Sequence, residues 1–531
     1  MSIHTCRVTL VKQPSGRAGS SIASSEPRTI ADEQYSSSRH SLGLYQNVIT
    51  VCRYTLPQDA DKLPSGEAQV KASIRKALTT VVLEKLPALR VAIEGEETKQ
   101  PVYVSLPNLD LREHLEWISR APAQTPDQQD AQLMQDLERE NARSWLDVTT
   151  HSPWRIIVYL NTADGWADVA FAAHHALADG KSGHVFHSHL VETLNSQATP
   201  IQVDDENDPI IVFTEQPTIL PSQEELINFT LSWSFFIGTI WRQLGPAWLQ
   251  IVPTAEAYVG HRVTLEPKLK GNLRAFHLAP RHAAALLASC HAKCVSLTAL
   301  MHGLMLVLFA RRFPADVATS FEASTPISMR FCVPKSVDLD VFRSLGNLVS
   351  AYSYVYGKDA VADGRDVAAT EIADDEKVWR AAAKMGASLK ARLANITEDN
   401  VLGLMGWIRD WHGWWREREG KIRDSTWNVS NTGPISAMGE LPANSAVHPR
   451  WKLTRNFYTQ SSIGKDALIN INIGGVRDGE MSFVVAWHHG VVQDEFADTF
   501  AKDLQACLER YSISGHFAVP DRLSERETTL R

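Results

Sequence analysis

The chain has 531 residues, 44% of them hydrophobic and 21% charged, a globular profile too long for one ordinary core, so two or more lobes are expected. The formal net charge is -8 with no basic stripe, which argues against a nucleic-acid partner. No uninterrupted apolar run reaches the roughly 18 residues of a membrane span, and the polar residues 1–30 hold no secretory signal.

Residues 1–34, rich in Ser and Arg, read as a disordered tail, with order starting at Tyr35. The β-branched and aromatic run Tyr45–Tyr54 predicts a strand. A helix is predicted over Gly66–Leu86, because Val70, Ile74, Leu78, Val81 and Val82 share a face, and Pro87 stops it. Val102–Leu106 reads as a short strand, and the charged, Gln-rich residues 124–143 as a surface helix. Trp154–Leu160 and Trp166–Ala173 form a hairpin about Ala163-Asp164-Gly165. A helix follows Gly180. Residues 196–224 read as a Pro-bearing linker, and Ile227–Val252 is strongly aromatic. Beyond residue 260, Ser296 caps a buried helix to Ala310. Strands are predicted at Arg274–Leu278, Ala323–Ser328, Leu468–Ile473 and Met481–Trp487, and a closing amphipathic helix at Phe496–Tyr511. The division expected is a tail over 1–34, a first lobe over 35–200, a crossover over 201–260, a second lobe over 261–515 and a tail over 516–531. There is no internal repeat.

The chemistry concentrates at His174-His175-Ala-Leu-Ala-Asp179-Gly180, where a strand ends and a glycine turn begins. Imidazole titrates at about 6.5, which suits a general base, and a turn at a strand end fixes its direction. Asp179 could pair with a cation and hold the turn, or orient the imidazole directly. Gly180 admits backbone conformations that other residues resist. Adjacent strand histidines face opposite sides and chelate poorly, so no metal is expected. His184, His187 and His189 read as a packed or solvated helix face, and His488-His489-Gly490, lacking an acid four residues on, as a structural strand end. Of six cysteines only Cys290 and Cys294 lie close together, which suggests free thiols rather than a zinc site or disulfide framework.

The histidine run resembles the fingerprint of chloramphenicol-acetyltransferase-like enzymes, which include plant BAHD acyltransferases, peptide-synthetase condensation domains and fungal alcohol acetyltransferases. Further segments are similar in order: Arg39-His-Ser-Leu42-Gly43-Leu44-Tyr45, like the start of the alcohol acetyltransferase branch; Leu86-Pro87-Ala88-Leu89-Arg90; Thr325-Pro326-Ile327-Ser328-Met329-Arg330 with Leu345-Gly346-Asn347; and Val429-Ser430-Asn431-Thr432-Gly433. The resemblance spans about residues 35–515 and implies an α/β (α+β) fold of two similar lobes, each a mixed β-sheet flanked by helices, with the active site in a tunnel between them. It implies that His175 is the general base, Asp179 the paired carboxylate with Arg330 its partner, His174 and Gly180 supporting residues, and Ser430 or Asn431 a hydrogen-bond donor to a tetrahedral oxyanion. For Ser430 a plain strand hydroxyl bonded to backbone is the alternative. The plant enzymes' Asp-Phe-Gly-Trp-Gly segment is absent, and coenzyme A contacts cannot be placed.

The function implied is O-acyl transfer from acyl-coenzyme A, acetyl-CoA above all, to a hydroxyl of a small lipophilic metabolite, with no metal. The alternatives are N-acylation, condensation or cyclisation on a carrier-bound thioester, and a non-catalytic member that binds a lipophilic ligand. Phe229, Trp233, Phe236, Ile237, Ile240 and Trp241 crowd one predicted helix, and Trp407, Trp411, Trp414 and Trp415 fall on one face of another. These read as lobe packing, an acceptor wall or a peripheral membrane patch. A cytoplasmic monomer is expected, with peripheral contact to a membrane or lipid droplet left open.

Overall fold

The computed structural model describes residues 7–8, 28–29, 31–57, 66–122, 125–145, 147–196, 209–244, 257–263, 270–440, 451–461 and 467–523. Most of the expected 1–34 tail lies outside them, but helix α1 (Ala31–Ser41) begins before Tyr35. Of the other expected tail, Phe517 and Val519 are buried. Phe517 stacks on Tyr511 at 4.1 Å, and the Val519 carbonyl accepts from Arg311 Nη1 at 2.6 Å. Of the expected linker, residues 197–208 lie outside the description, Ile210–Val212 pairs with Asn108–Asp110, and Ser222 caps a short helix, Gln223–Leu226.

The first lobe holds β1 (Val48–Thr55), α2 (Gly66–Thr80), β2 (Leu115–Ser119), α3 (Pro126–Asn141), β3 (Trp154–Asn161), β4 (Trp166–Ala173) and α4 (Gly180–Ser196). After α5 (Trp233–Leu244), the second lobe holds β5 (Gly271–Leu278), α6 (Pro280–Ala292), α7 (Leu297–Ala310), β6 (Phe321–Ser328), β7 (Val349–Tyr356), α8 (Glu371–Ala394), α9 (Trp411–Arg416) and β8 (Ser425–Ile435). Strand β9 (Lys452–Gln460) leaves it for the first lobe before β10 (Ala467–Val476), β11 (Met481–His488) and α10 (Asp494–Ser514) close the chain. The sheets run β9-β1-β4-β3-β2 and β5-β11-β10-β8-β6-β7. Both mix parallel and antiparallel pairs. The expected two-lobed mixed α/β architecture is therefore present, with one strand of the first sheet drawn from residues 452–460.

Local chemistry explains the ends. The Gln46 and Asn47 amides donate to Ser461 Oγ instead of a ladder, so β1 starts at Val48 rather than Tyr45. The predicted helix to Leu86 widens at Val81–Lys85, where Leu86 N–H reaches the Val81 carbonyl in a π-type turn before Pro87. Ser296 Oγ accepts from Ala299 N–H at 3.2 Å and caps α7 as expected. Every residue of α7 from Ala299 to Ala310 is buried, which makes it the axis of the second core. No single helix among the described residues is long and apolar enough to cross a membrane; one pair bent by 93°, α6 with α7, passes on length and composition.

Two further expectations are corrected. Helix α3 is not a surface helix: Leu133, Met134 and Leu137 pack with Ile49, Ile157 and Phe457 of the first sheet and Leu273, Val484 and Ala486 of the second. Its polar composition hides this, because Asp130 and Glu140 are buried ion-pair partners of Arg455 and Arg155. The four tryptophans do not share a face either. Asp410 caps a new helix by accepting from Gly413 N–H, so Trp407 is left 59% exposed while Trp411 and Trp415 are buried. Of the other aromatic set, Trp233, Ile237 and Trp241 are exposed on α5, and Phe229 is buried.

Candidate active site

Strand β4 delivers His174 and His175 to a turn that several hydrogen bonds pin. Ala176 N–H donates to His174 Nδ1 at 2.9 Å, and Tyr103 donates to the Ala176 carbonyl at 2.8 Å. Asp179 makes no hydrogen bond to His175. Its Oδ1 accepts from the Ser182 amide and hydroxyl, and its Oδ2 from Arg330 Nη1 at 2.5 Å and Leu348 N–H at 3.1 Å. Burial would raise this carboxyl, but Arg330 and the amides hold it below the usual range. Arg330 is itself satisfied, by Asp179, Val341 O, Ser182 Oγ and Gly346 O. Thus Asp179 pairs with a cation and ties the turn to residues 346–348 of the second lobe, which settles the choice left open above.

Both ring nitrogens of His175 are instructive. Nδ1 is sealed with no partner beyond the chain's own local carbonyl, whereas Nε2 is unpartnered and not sealed. Burial first, then the Arg39 guanidinium, lowers the pKa below its ordinary 6.5, so the ring is neutral. The Tyr45 ring meets it edge-on at 5.3 Å. Its neighbour His174 faces away and donates from Nε2 to Glu96 Oε1 at 3.0 Å. His40 Nδ1 lies 2.8 Å from Glu96 Oε2.

By distance alone, His40, Glu96 and His174 could hold a metal. However, the far nitrogen of each histidine accepts a main-chain N–H, from Trp145 and Ala176 respectively. The near nitrogens therefore carry protons toward Glu96, leaving no lone pair for an ion. Burial would raise Glu96, but the bonds from His174 and His40 win and hold it at about 2. His184, His187 and His189 are likewise occupied by Asn456, Tyr54 with Thr50, and Arg343.

The second lobe meets this turn through β8. A Cβ on Gly180 would lie 3.0 Å from Thr432 Cγ2 and 3.1 Å from the Tyr458 ring, so only glycine admits this approach unstrained. Lys181 Nζ donates to the Thr432 carbonyl. A bulge between Asn431 and Gly433 presents these groups. Ser430 lies close enough to the Tyr458 phenol to offset part of the rise in pKa that burial imposes on it. Asn431 points elsewhere: its amide donates to Thr298 on α7 and its oxygen accepts from Gly433 N–H. The structure thus brings His174, His175, Asp179, Gly180, Arg330 and Ser430 together and turns Asn431 away. Glu96, Tyr458 and Lys181 were not singled out by sequence; Arg39, His40 and Tyr45 lay in the segment that carried the resemblance.

This two-sheet fold is shared with solved acetyltransferase and condensation-domain structures. Across 90% of this chain and 94% of the other, it superposes on TRI3 trichothecene 15-O-acetyltransferase from Fusarium sporotrichioides with a TM-score of 0.64 and 10% identity. The first condensation domain of the CDA synthetase superposes with a TM-score of 0.56 and 12% identity, over 96% of this chain and all of that one. A family model for alcohol acetyltransferases matches residues 117–508, and the chain belongs to that family. It is therefore an acyltransferase. Among similar proteins, the probable alcohol acetyltransferase FCK4 of Fusarium pseudograminearum is 26% identical over 496 residues, 92% of this chain and 96% of that one. The probable alcohol acetyltransferase crmB of Aspergillus fumigatus is 23% identical over 493 residues, covering 90% and 98%.

Proposed function

We propose that the protein transfers an acyl group, acetyl from acetyl-CoA, to a hydroxyl of a small lipophilic metabolite, with His175 as general base in a tunnel between the lobes. The observation that carries the reading is the single open, unpartnered nitrogen of His175, Nε2, held neutral by burial where the two sheets meet. Nε2 takes the proton as the hydroxyl oxygen attacks the thioester carbonyl. The tetrahedral oxyanion draws on the Ser430 and Tyr458 hydroxyls, the C–S bond breaks, and the imidazolium returns its proton to the leaving thiolate. Asp179 and Arg330 position the turn without touching either reactant. The rings of Tyr35, Tyr45, Trp411, Trp414 and Trp415, packed against one another beside the histidine, support an apolar acceptor.

Thiol release from acetyl-CoA across a panel of lipophilic alcohols tests this reading. Release that depends on the alcohol, with an O-acetyl ester recovered, is expected. Release only with amines, or none with any alcohol, would defeat it.

A further inference from the structure

Arg39 is 6% exposed, yet no described carboxylate pairs with it. Its guanidinium lies over the rings of Tyr35 and Tyr45, 4.4 and 4.5 Å from their centroids. Of its three nitrogens, Nη2 has one long hydrogen bond, 3.4 Å to Ser36 Oγ. Nε is sealed and unpartnered. Nη1 is also unpartnered and, unlike Nε, is not sealed from solvent. The nearby Glu96 carboxylate makes no contact with Arg39; its two oxygens meet His40 and His174 instead.

Burying a lone guanidinium costs free energy that ring faces recover only in part. An edge of a planar, always-charged fork left open beside a base is the arrangement that receives a carboxylate. We propose that Arg39 docks an anionic group of the acceptor, so that the acceptor is a lipophilic hydroxy acid rather than a neutral alcohol. The proposal rests on the acyltransfer reading above and names the substrate class for the same site.

Electrostatics favours an anion present in the ground state over one formed only in the transition state. The Arg39 charge depresses the basicity of His175. A carboxylate seated on Arg39 before the reaction cancels that charge and restores the base when it is needed. An oxyanion born on the thioester arrives too late to do so.

The test pairs lipophilic hydroxy acids of straight-chain, aromatic and terpenoid skeletons with their methyl esters, using acetyl-CoA and thiol release. With the wild-type protein the acid of an accepted pair should exceed its ester in kcat/KM by about tenfold or more. Arg39→Gln should erase that preference by lowering the acid's value, while the ester's holds or rises as His175 is relieved of the Arg39 charge; Arg39→Lys should keep part of it, and the KM for acetyl-CoA should not move. Equal use of acid and ester by the wild-type protein, or acceptance of neutral alcohols only, overturns the proposal while leaving acyltransfer intact. An equal loss on both members in Arg39→Gln also overturns it and assigns Arg39 to the oxyanion. Should Arg39→Gln fail to fold, the wild-type comparison decides alone. No thiol release with any acceptor would remove both readings.

Discussion

At the residue scale, the two adjacent histidines divide their labour by direction. His174 turns inward to Glu96 and fixes the strand end, while His175 leaves one nitrogen open. The Glu96 carboxylate, held at about 2 against an unfolded value near 4.5, has a signed consequence. Its stabilisation is complete above about pH 4.5 and is lost as the pH falls through about 2. Glu96→Gln should therefore be less stable at neutral pH, with a flatter loss of stability than wild type between those values, read by denaturant unfolding at each pH. An unchanged slope would mean that the His40–Glu96–His174 network does not exist in solution. Asp179→Asn strands Arg330 in a buried site and should lower stability by roughly 3 kcal/mol as well as reduce turnover, measured by denaturant unfolding and steady-state rate.

The run from His174 to Gly180 was legible because its members lie within seven residues, and the periodicity of strand and turn is local. Arg330 and Ser430 were reached only through resemblance. Glu96 was not legible: it sits in a Glu-Gly-Glu-Glu run that reads as a solvated turn, and its partners are 56 and 78 residues away. Asn431 was misplaced for a geometric reason, since neighbours on a strand face opposite sides and only one of Ser430 and Asn431 can look toward the histidine.

Among the elements, the lobes are joined by α3 and β9, and neither role shows in local pattern. Helix α3 carries few apolar residues, so composition marks it as surface; its buried charges are paired with Arg455 of β9 and Arg155 of β3 instead. Strand β9 reads as an ordinary strand, and nothing in a period of two says which sheet it joins. Leu137 is fully buried between the sheets, so Leu137→Ala should cost on the order of 2–4 kcal/mol in unfolding free energy. Helix α4 meets β1 even more tightly. A Cβ on Gly183 would fall 1.9 Å from Thr50 Oγ1, so Gly183→Ala should yield little folded protein, judged by soluble yield and melting temperature. Normal folding of that variant would show that α4 does not seat on β1 as described.

For the whole molecule, burial of neutral imidazoles sets the response to acid. Burial holds His187 and His114 at about 4 and His302 at about 3, against an unfolded value near 6.5. Because the unfolded chain binds more protons between those values, this stability is fully present above pH 6.5 and is lost as the pH falls toward 4. The protein should accordingly begin to lose stability just below neutrality, well before its carboxylates titrate. A melting temperature that stays flat from pH 7 to 5 would contradict the buried, neutral state of these rings. Both lobes depend on this packing, since His187 binds Tyr54 of the first sheet and His302 binds Trp427 of the second.

The most direct measurement is the turnover of His175→Ala with acetyl-CoA and a hydroxylated acceptor, with its melting temperature and with imidazole added. A fall of about a hundredfold or more in kcat, at an essentially unchanged melting temperature and with partial recovery in imidazole, is expected of a lost general base. Turnover close to wild type would mean that another group takes the proton.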